Sequence, residues 1–209
     1  MIQVKQQFVP KEPFTLLISS GIDSVCAAHW LKFQYRKDFA LLHFNHQVQT
    51  VNYDMGNAVL NFAYDFDFGV NIISRKMTQP AFLDTSENGL RQWRHHELAK
   101  LSGNFVTAHH LNDAVENYLM NCLQGTAEHK PISWFTQFSG FSIYHPFLLT
   151  TKQDFIDYAH ANDLMKYVVE DPTNHDLSNN RSWMRQKLIP VLDERELGLE
   201  KIVKKKFYM

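Results

Sequence analysis

Thr15-Leu-Leu-Ile-Ser-Ser-Gly-Ile-Asp-Ser-Val-Cys-Ala-Ala-His-Trp-Leu31 decides the fold of this chain. The apolar run Phe14 to Ile18 ends in small polar residues around Gly21 and passes directly into an apolar, helix-like pattern. A strand, a tight turn and a helix N-terminus in that order make an anion site. The first N–H groups of the helix have no internal partner, and the helix dipole favours negative charge there. Ser19, Ser20 and Ser24 add hydroxyls, and Gly21 lets an anion approach the backbone closely. The turn is neither the Gly-x-x-x-x-Gly-Lys-[Ser/Thr] loop nor the Gly-x-Gly-x-x-Gly turn of dinucleotide folds. The plain alternative is a polar helix cap after a core strand.

Further apolar runs lie at Phe39–Phe44, Val70–Ser74 and Phe105–Ala108, separated by helix-like patterns at Val25–Gln34, Tyr53–Tyr64, Glu87–Leu101 and Asn112–Leu123. This alternation predicts an α/β fold with a parallel sheet and right-handed crossovers. Ligands of such sheets sit beyond the carboxyl ends of the strands. Polar motifs do gather there: Ser19–Ser24 after the first run, His43-Phe-Asn-His46 after the second and His109-His110-Leu-Asn-Asp113 after the fourth. The stretch Gly125–Gly140 contains Pro131, shows no periodicity and reads as a mobile loop. Phe141 to Leu149 is apolar and leads to a helix starting near Thr151, where Thr-Lys-Gln-Asp resembles a capping box. Asp171-Pro-Thr-Asn174 reads as a turn, and Leu177 to Leu192 as a last long helix closed by Pro190. One domain over 1–209 is expected, with an α/β core at 1–150 and a helical extension at 151–209 packed on it.

Composition fits that size: 209 residues, 44% hydrophobic and 21% charged, bury one substantial core. Apolar runs are strand-sized, which predicts no membrane span, and Met1–Lys11 has no signal-peptide core. Cys26 and Cys122 read as small hydrophobes rather than a disulfide or metal pair, and a cytoplasmic location is expected. A net charge of −1 argues against a broad basic nucleic-acid surface. Lys201, Lys204, Lys205 and Lys206 nonetheless make a basic end, either solvated or placed against an RNA backbone.

Asp113 and Glu116 are three apart on a predicted helix and share a face near its N-terminus. Two carboxylates so placed suit Mg²⁺ or an ammonium group, or simply complement the helix dipole. His109 and His110 stand at the strand end, where they can donate to phosphate. Arg181 and Arg185 are four apart and suit phosphate or carboxylate recognition, or form a solvated face. In Glu87-x-x-x-Arg91-x-x-Arg94-His95, Glu87 and Arg91 can pair along the helix with Arg94 beside them, which also describes an exposed salt-bridged helix. His43 and His46 have no matching ligand pair for zinc.

Taken in order, these segments resemble the tRNA(Ile)-lysidine synthetase family of N-type ATP pyrophosphatases. That family shows Ser-Gly-Gly-x-Asp-Ser, His-x-Asn/Asp-His, Glu-x-x-Ala-Arg-x-x-Arg-Tyr, Ala-His-His-x-Asp-Asp-x-x-Glu-Thr, Arg-Pro-Leu and Glu-Asp-Pro-Thr-Asn-x-Asp with downstream arginines. Here they are Ser19–Ser24, His43–His46, Glu87–His95, Ala108–Asn117, His145-Pro-Phe-Leu148 and Glu170–Asp176 with Arg181 and Arg185. The resemblance implies a Rossmann-like pyrophosphatase fold, ATP and Mg²⁺. It implies adenylation of the wobble cytidine of a tRNA-Ile with a CAU anticodon, followed by attack of the ε-amine of free L-lysine. Implied for ATP are Ser19, Ser20, Gly21, Ile22, Asp23, Ser24, His43, Asn45 and His109. Asp23, Asp113 and Glu116 are the implied catalytic acids, with Asp113 also the candidate Mg²⁺ ligand. Arg91, Arg94, Asp171, Asn174, Arg181 and Arg185 would hold lysine or RNA.

The chain departs from the pattern in places. Ser20 replaces a glycine, Asn112 the first of the paired aspartates, and Leu90 and His95 replace Ala and Tyr. Gln47 and Gln49 stand where the family tends to have Gly and Arg. The chain is expected to end near the boundary of the catalytic domain, without the family's further C-terminal domains. The rival expectations are a catalytically silent nucleotide- or RNA-binding protein on this fold and another pyrophosphate-loop transferase. A tRNA thiolase of the 2-thiocytidine kind would need Cys-x-x-Cys pairs and an iron–sulfur cluster, which two cysteines do not supply. The oligomeric state is left open.

Overall fold

Strand β1, Phe14–Leu17, lies at the centre of a six-stranded sheet, between β2 (Ala40–Asn45) and β4 (Gly103–Val106), and pairs with both in parallel. A computed structural model describes residues 1–75, 84–125, 130–195 and 197–209, without the side chains of Thr173 and Asn174. The strand order is β3-β2-β1-β4-β6-β5, with β3 at Val70–Ser74, β5 at Phe135–Gln137 and β6 at Phe141–Tyr144. All neighbours run parallel except β5, which pairs antiparallel with β6. The chain therefore moves outward from β1 through β2 and β3, then returns to lay β4 on the other side of β1. That reversal opens a crevice beyond the carboxyl ends of β1 and β4.

The connecting helices are α1 (Ile22–Phe33), α2 (Val51–Asp65), α3 (Glu87–Leu101) and α4 (Leu111–Leu123), with α5 at Lys152–Ala161. β2 is apolar on both sides because both are covered. Leu41 joins the core with Leu16, Leu31, Phe62 and Phe155, while Leu42 and Phe44 pack with Trp93 and Leu98 of α3. A third cluster ties α4, through Leu111 and Val115, to Val203 and Tyr208 near the C-terminus. No helix among the described residues is long and apolar enough to cross a membrane.

Two expectations are corrected. In 125–140, residues 126–129 lie outside those described, and 135–137 form an edge strand rather than loop; the bond from the Phe138 N–H to the Phe141 carbonyl closes its hairpin. Three residues of alternating exposure are too short for periodicity to reveal. The last helix also does not stop at Pro190. It runs from α6 (Asn180–Trp183) through a π turn at Met184–Leu188 into α7 (Ile189–Glu194), with Pro190 in the first turn of α7. A widened turn beside a proline accommodates the missing N–H without ending the helix. Last comes α8, Leu199–Val203, which continues into a π turn at Lys204–Tyr208.

Candidate functional site

The loop between β1 and α1 is shaped by its own serines. The Ser24 hydroxyl accepts from the Ser19 N–H at 3.1 Å and donates to the Gly21 carbonyl at 2.9 Å. Gly21 caps α1 in an extended conformation and supplies no side-chain bond to the exposed end of the helix. A Cβ there would stand 3.3 Å from Ser19 Oγ, so the glycine keeps the space beside that hydroxyl open. Ser20 takes the left-handed conformation at φ 60°, is fully buried and leaves its hydroxyl without a partner among the described residues. Its position therefore suits the glycine of the resemblance, at a cost of about 1 kcal/mol for the side chain. That side chain does not line the cleft, whereas Ser19, Gly21, Asp23 and Ser24 do.

The cleft encloses about 410 Å³ and draws its other walls from β2, α3, the segment Thr107–His109 after β4, the start of α4, and the β5–β6 hairpin. Its apolar wall includes Leu42, Phe44, Leu98, Phe138 and Ile143. Its polar wall includes Arg91, Arg94, His109, Asp113, His145 and Arg181. Motifs 20 to 160 residues apart in sequence thus meet at the crevice, as the strand order requires. Burial and then the Arg91 charge push the Arg94 guanidinium below its ordinary pKa, with Arg181 adding to the effect and Glu87 opposing it. Arg91, Arg94 and Arg181 line the cleft together, and Glu87 pairs with Arg181, which makes this wall a place for an anion.

At the start of α4 runs a ladder of alternating charge. Lys152 Nζ donates to both oxygens of Asp23, at 2.8 and 2.9 Å. His110 Nε2 lies 3.6 Å from Asp23 and 3.5 Å from Asp113. Arg185 is 4.0 Å from Asp113 and forks onto Glu116, with Nε and Nη2 donating at 2.5 and 2.8 Å. Burial opposes ionisation of Asp23, but His110 and Lys152 outweigh it and hold its pKa at about 2. Burial likewise opposes protonation of His110, yet Asp113 and then Asp23 raise its pKa above the ordinary value. Asp113 faces the cleft. Glu116 is buried, with both oxygens on Arg185, and acts on the site through that arginine. Among the described residues no group of three or more acidic, His or Cys side chains is arranged to hold a metal. One or two carboxylates beside phosphates satisfy Mg²⁺, which keeps several waters, so Asp113 and Asp23 fit that ion.

Three histidines keep a buried ring nitrogen without a partner among the described residues. His43 Nδ1 donates to the Ile18 carbonyl at 2.9 Å, which leaves its buried Nε2 without a partner. His46 Nδ1 and His110 Nδ1 are also buried and unpartnered. Burial, then Arg94, lowers the His46 pKa to about 4, with Asp171 opposing. Asn45 is buried and accepts from the Gln47 N–H, so its side-chain oxygen turns back on its own loop. Asn174 lies among the residues whose side chains are not described.

Several site contacts were invisible in the sequence. Glu87 does not turn to Arg91; its carboxylate pairs with Arg181 of α6 at 3.0 Å. Thr107, His109 and His145 form a hydrogen-bonded trio, with His109 and His145 Nδ1 atoms 3.1 Å apart. Burial, then His109, pushes the His145 pKa down to about 2. Asn112 points away from the cleft. Its oxygen accepts from the Lys152 N–H at 2.8 Å and its amide donates to Glu200 of α8 at 2.7 Å. An aspartate could not donate to Glu200, so the replacement matches its C-terminal partner and takes no charge from the cleft. The one sequence signal for Lys152 is a cation in the first turn of a helix, where the dipole disfavours it.

A central parallel sheet with a serine-rich loop after β1 and charged residues after β4 defines an α/β protein whose cleft lies at the switch point of its sheet. The PP-loop domain family matches residues 2–192, and the chain belongs to it. It is 28% identical to the tRNA(Ile)-lysidine synthase of Exiguobacterium sibiricum over 194 residues, which cover 92% of this chain and 46% of that protein. To the enzyme of the same name from Acinetobacter baylyi it is 27% identical over 197 residues, covering 91% and 41%. The chain thus spans less than half the length of these relatives. The U34-tRNA thiolase NcsA of Methanococcus maripaludis, solved with its [4Fe-4S] cluster, superposes with a TM-score of 0.75 at 14% identity, over 96% of this chain and 73% of that one. That likeness is one of fold.

Proposed function

We propose that this chain is the catalytic domain of a carbon–nitrogen ligase that converts the wobble cytidine of a CAU-anticodon tRNA-Ile to lysidine, using ATP and free L-lysine. The observation that carries the reading is the meeting of the β1–α1 loop and the acid–histidine–acid ladder of α4 on one cleft. Relatives bearing the lysidine synthase name along nearly the whole chain support the substrate.

In this reading the loop of Ser19, Ser20, Gly21, Ile22, Asp23 and Ser24 receives the ATP phosphates, with His43, Asn45 and His109 beside the nucleotide. When bound, Mg²⁺ on Asp113 eases the negative charge of the phosphates. The cytidine C2 oxygen attacks the α-phosphorus and pyrophosphate leaves. The neutral lysine amine then forms a bond to C2 and AMP departs; a carboxylate of the cleft within reach of the amine takes its proton. Glu116 holds Arg185, and with it the orientation of Asp113. Arg91, Arg94 and Arg181 meet the lysine carboxylate and nearby RNA phosphates, while Asp171 and Asn174 hold the lysine or the cytidine. A thiolase of the iron–sulfur kind is disfavoured by the cysteines: Cys26 is buried and donates to the Phe155 carbonyl, which leaves Cys122 alone.

The test is incorporation of labelled lysine into CAU-anticodon tRNA-Ile in the presence of ATP and Mg²⁺. Incorporation that disappears in Asp23→Ala is expected. ATP binding without incorporation supports a silent member of the family instead, and an Asp23→Ala variant as active as wild type overturns the loop assignment.

A further inference from the structure

We infer that Lys152 is a phosphate-binding residue of the nucleotide site, parked on Asp23 until the nucleotide phosphates take its ammonium. The inference rests on the reading of the cleft as an ATP site and adds to it a residue from outside the loop.

The loop has no cation of its own. Of the arginines at the cleft, Arg181 is paired with Glu87. Arg185 is forked onto Glu116. Arg91 and Arg94 belong to α3, on the opposite wall. Among the described residues Lys152 is the lysine or arginine that touches the loop itself, through both oxygens of Asp23.

Its placement is one that helix energetics disfavour. Lys152 is the first residue of α5, behind the Thr151 cap, where the dipole repels positive charge. Its backbone is fixed all the same: the N–H is held by Asn112, and Asn112 by Glu200. Contacts from α4 and α8 therefore hold the base of a side chain that is 41% exposed. A rigid base and a partly exposed side chain suit a group that changes partners.

Asp23 can release it. The carboxylate keeps His110 at 3.6 Å, so it retains a partner after Lys152 leaves. A polyphosphate carries more charge than one carboxylate and recruits an ammonium within reach, which frees an Asp23 oxygen to face a divalent cation. The cleft is thus neutralised by its own residues before the nucleotide enters, and the exchange conserves charge pairing at every stage.

The experiment measures binding of Mg·ATP, Mg·pyrophosphate and AMP to wild type, Lys152→Ala and Lys152→Arg by calorimetry, with a thermal melt of each. Lys152→Ala is expected to weaken ATP and pyrophosphate by roughly tenfold to a hundredfold, the worth of one charge-assisted hydrogen bond. AMP binding is expected to stay within about twofold, which also shows that the variant site is folded. Lys152→Arg should recover most of the loss. Equal weakening of AMP and pyrophosphate, or a lowered melting temperature with unchanged ATP affinity, would mean that Lys152 only braces the loop, and would overturn the inference. Wild-type protein that binds no ATP would remove the nucleotide reading itself, a failure distinct from wild type and Lys152→Ala binding ATP equally.

Discussion

The loop after β1 and the ladder at the start of α4 border the same cleft but are built in opposite ways. The loop is local: Ser19, Gly21 and Ser24 bond one another within five residues. The ladder is remote: Asp23 meets Lys152 across 129 residues and Glu116 meets Arg185 across 69. A local turn tolerates small changes and keeps its shape. A remote ladder depends on every element that supplies a rung, so breaking one rung unsettles both the site and the docking of the C-terminal helices.

The largest stability effect is therefore expected in the ladder. Arg185→Ala leaves the buried Glu116 carboxylate without its fork and should cost on the order of 2–3 kcal/mol in urea unfolding, less than a fully buried pair because Arg185 is half-exposed. A loss below about 0.5 kcal/mol would equate the pair with an ordinary surface bridge and erase the contrast.

Next comes the region between the two, where His145 is held neutral. Its folded pKa lies below that of the unfolded chain, so the unfolded state binds the extra proton as pH falls below about 6.5. Stability should drop by about 2 kcal/mol between pH 6.5 and 5 on account of this one group, with His46 adding to the slope. Denaturation of His145→Gln across that range should show a shallower decline than wild type. Equal slopes would show that His145 takes up its proton in the folded state.

The loop should respond least, and in the opposite direction. Ser20→Gly relieves a left-handed backbone and an unpartnered buried hydroxyl, and is expected to stabilise by about 1 kcal/mol. Destabilisation would mean that the Ser20 side chain braces the loop. A labelling experiment follows with no change in stability at all. Burial and then Asp23 push the Cys26 thiol to about 12, so a thiol reagent at pH 8 should modify Cys122 and spare Cys26 until the chain unfolds.

The same contrast explains what could be read in advance. β3 was legible over its full length, because apolar runs bounded by turns are written locally. The anion loop was legible for the same reason, and the parallel α/β class followed from the alternation of elements, though the strand order did not. Lys152, the Arg181–Glu87 pair and the Asn112–Glu200 bond were not, because their partners lie 88 to 129 residues away or on a helix that only the fold brings near. Asn112 shows how spacing misleads. In the motif it looks like a lost metal charge, but in the fold it faces the C-terminal helix.

The most direct test of the account compares AMP release with lysine incorporation on two transcripts, one tRNA-Ile with cytidine at the wobble position and one with guanosine there. The account predicts AMP and incorporated lysine in equal amounts on the cytidine transcript, and neither on the other. AMP formed without lysine transfer, or no AMP on either transcript, would contradict it.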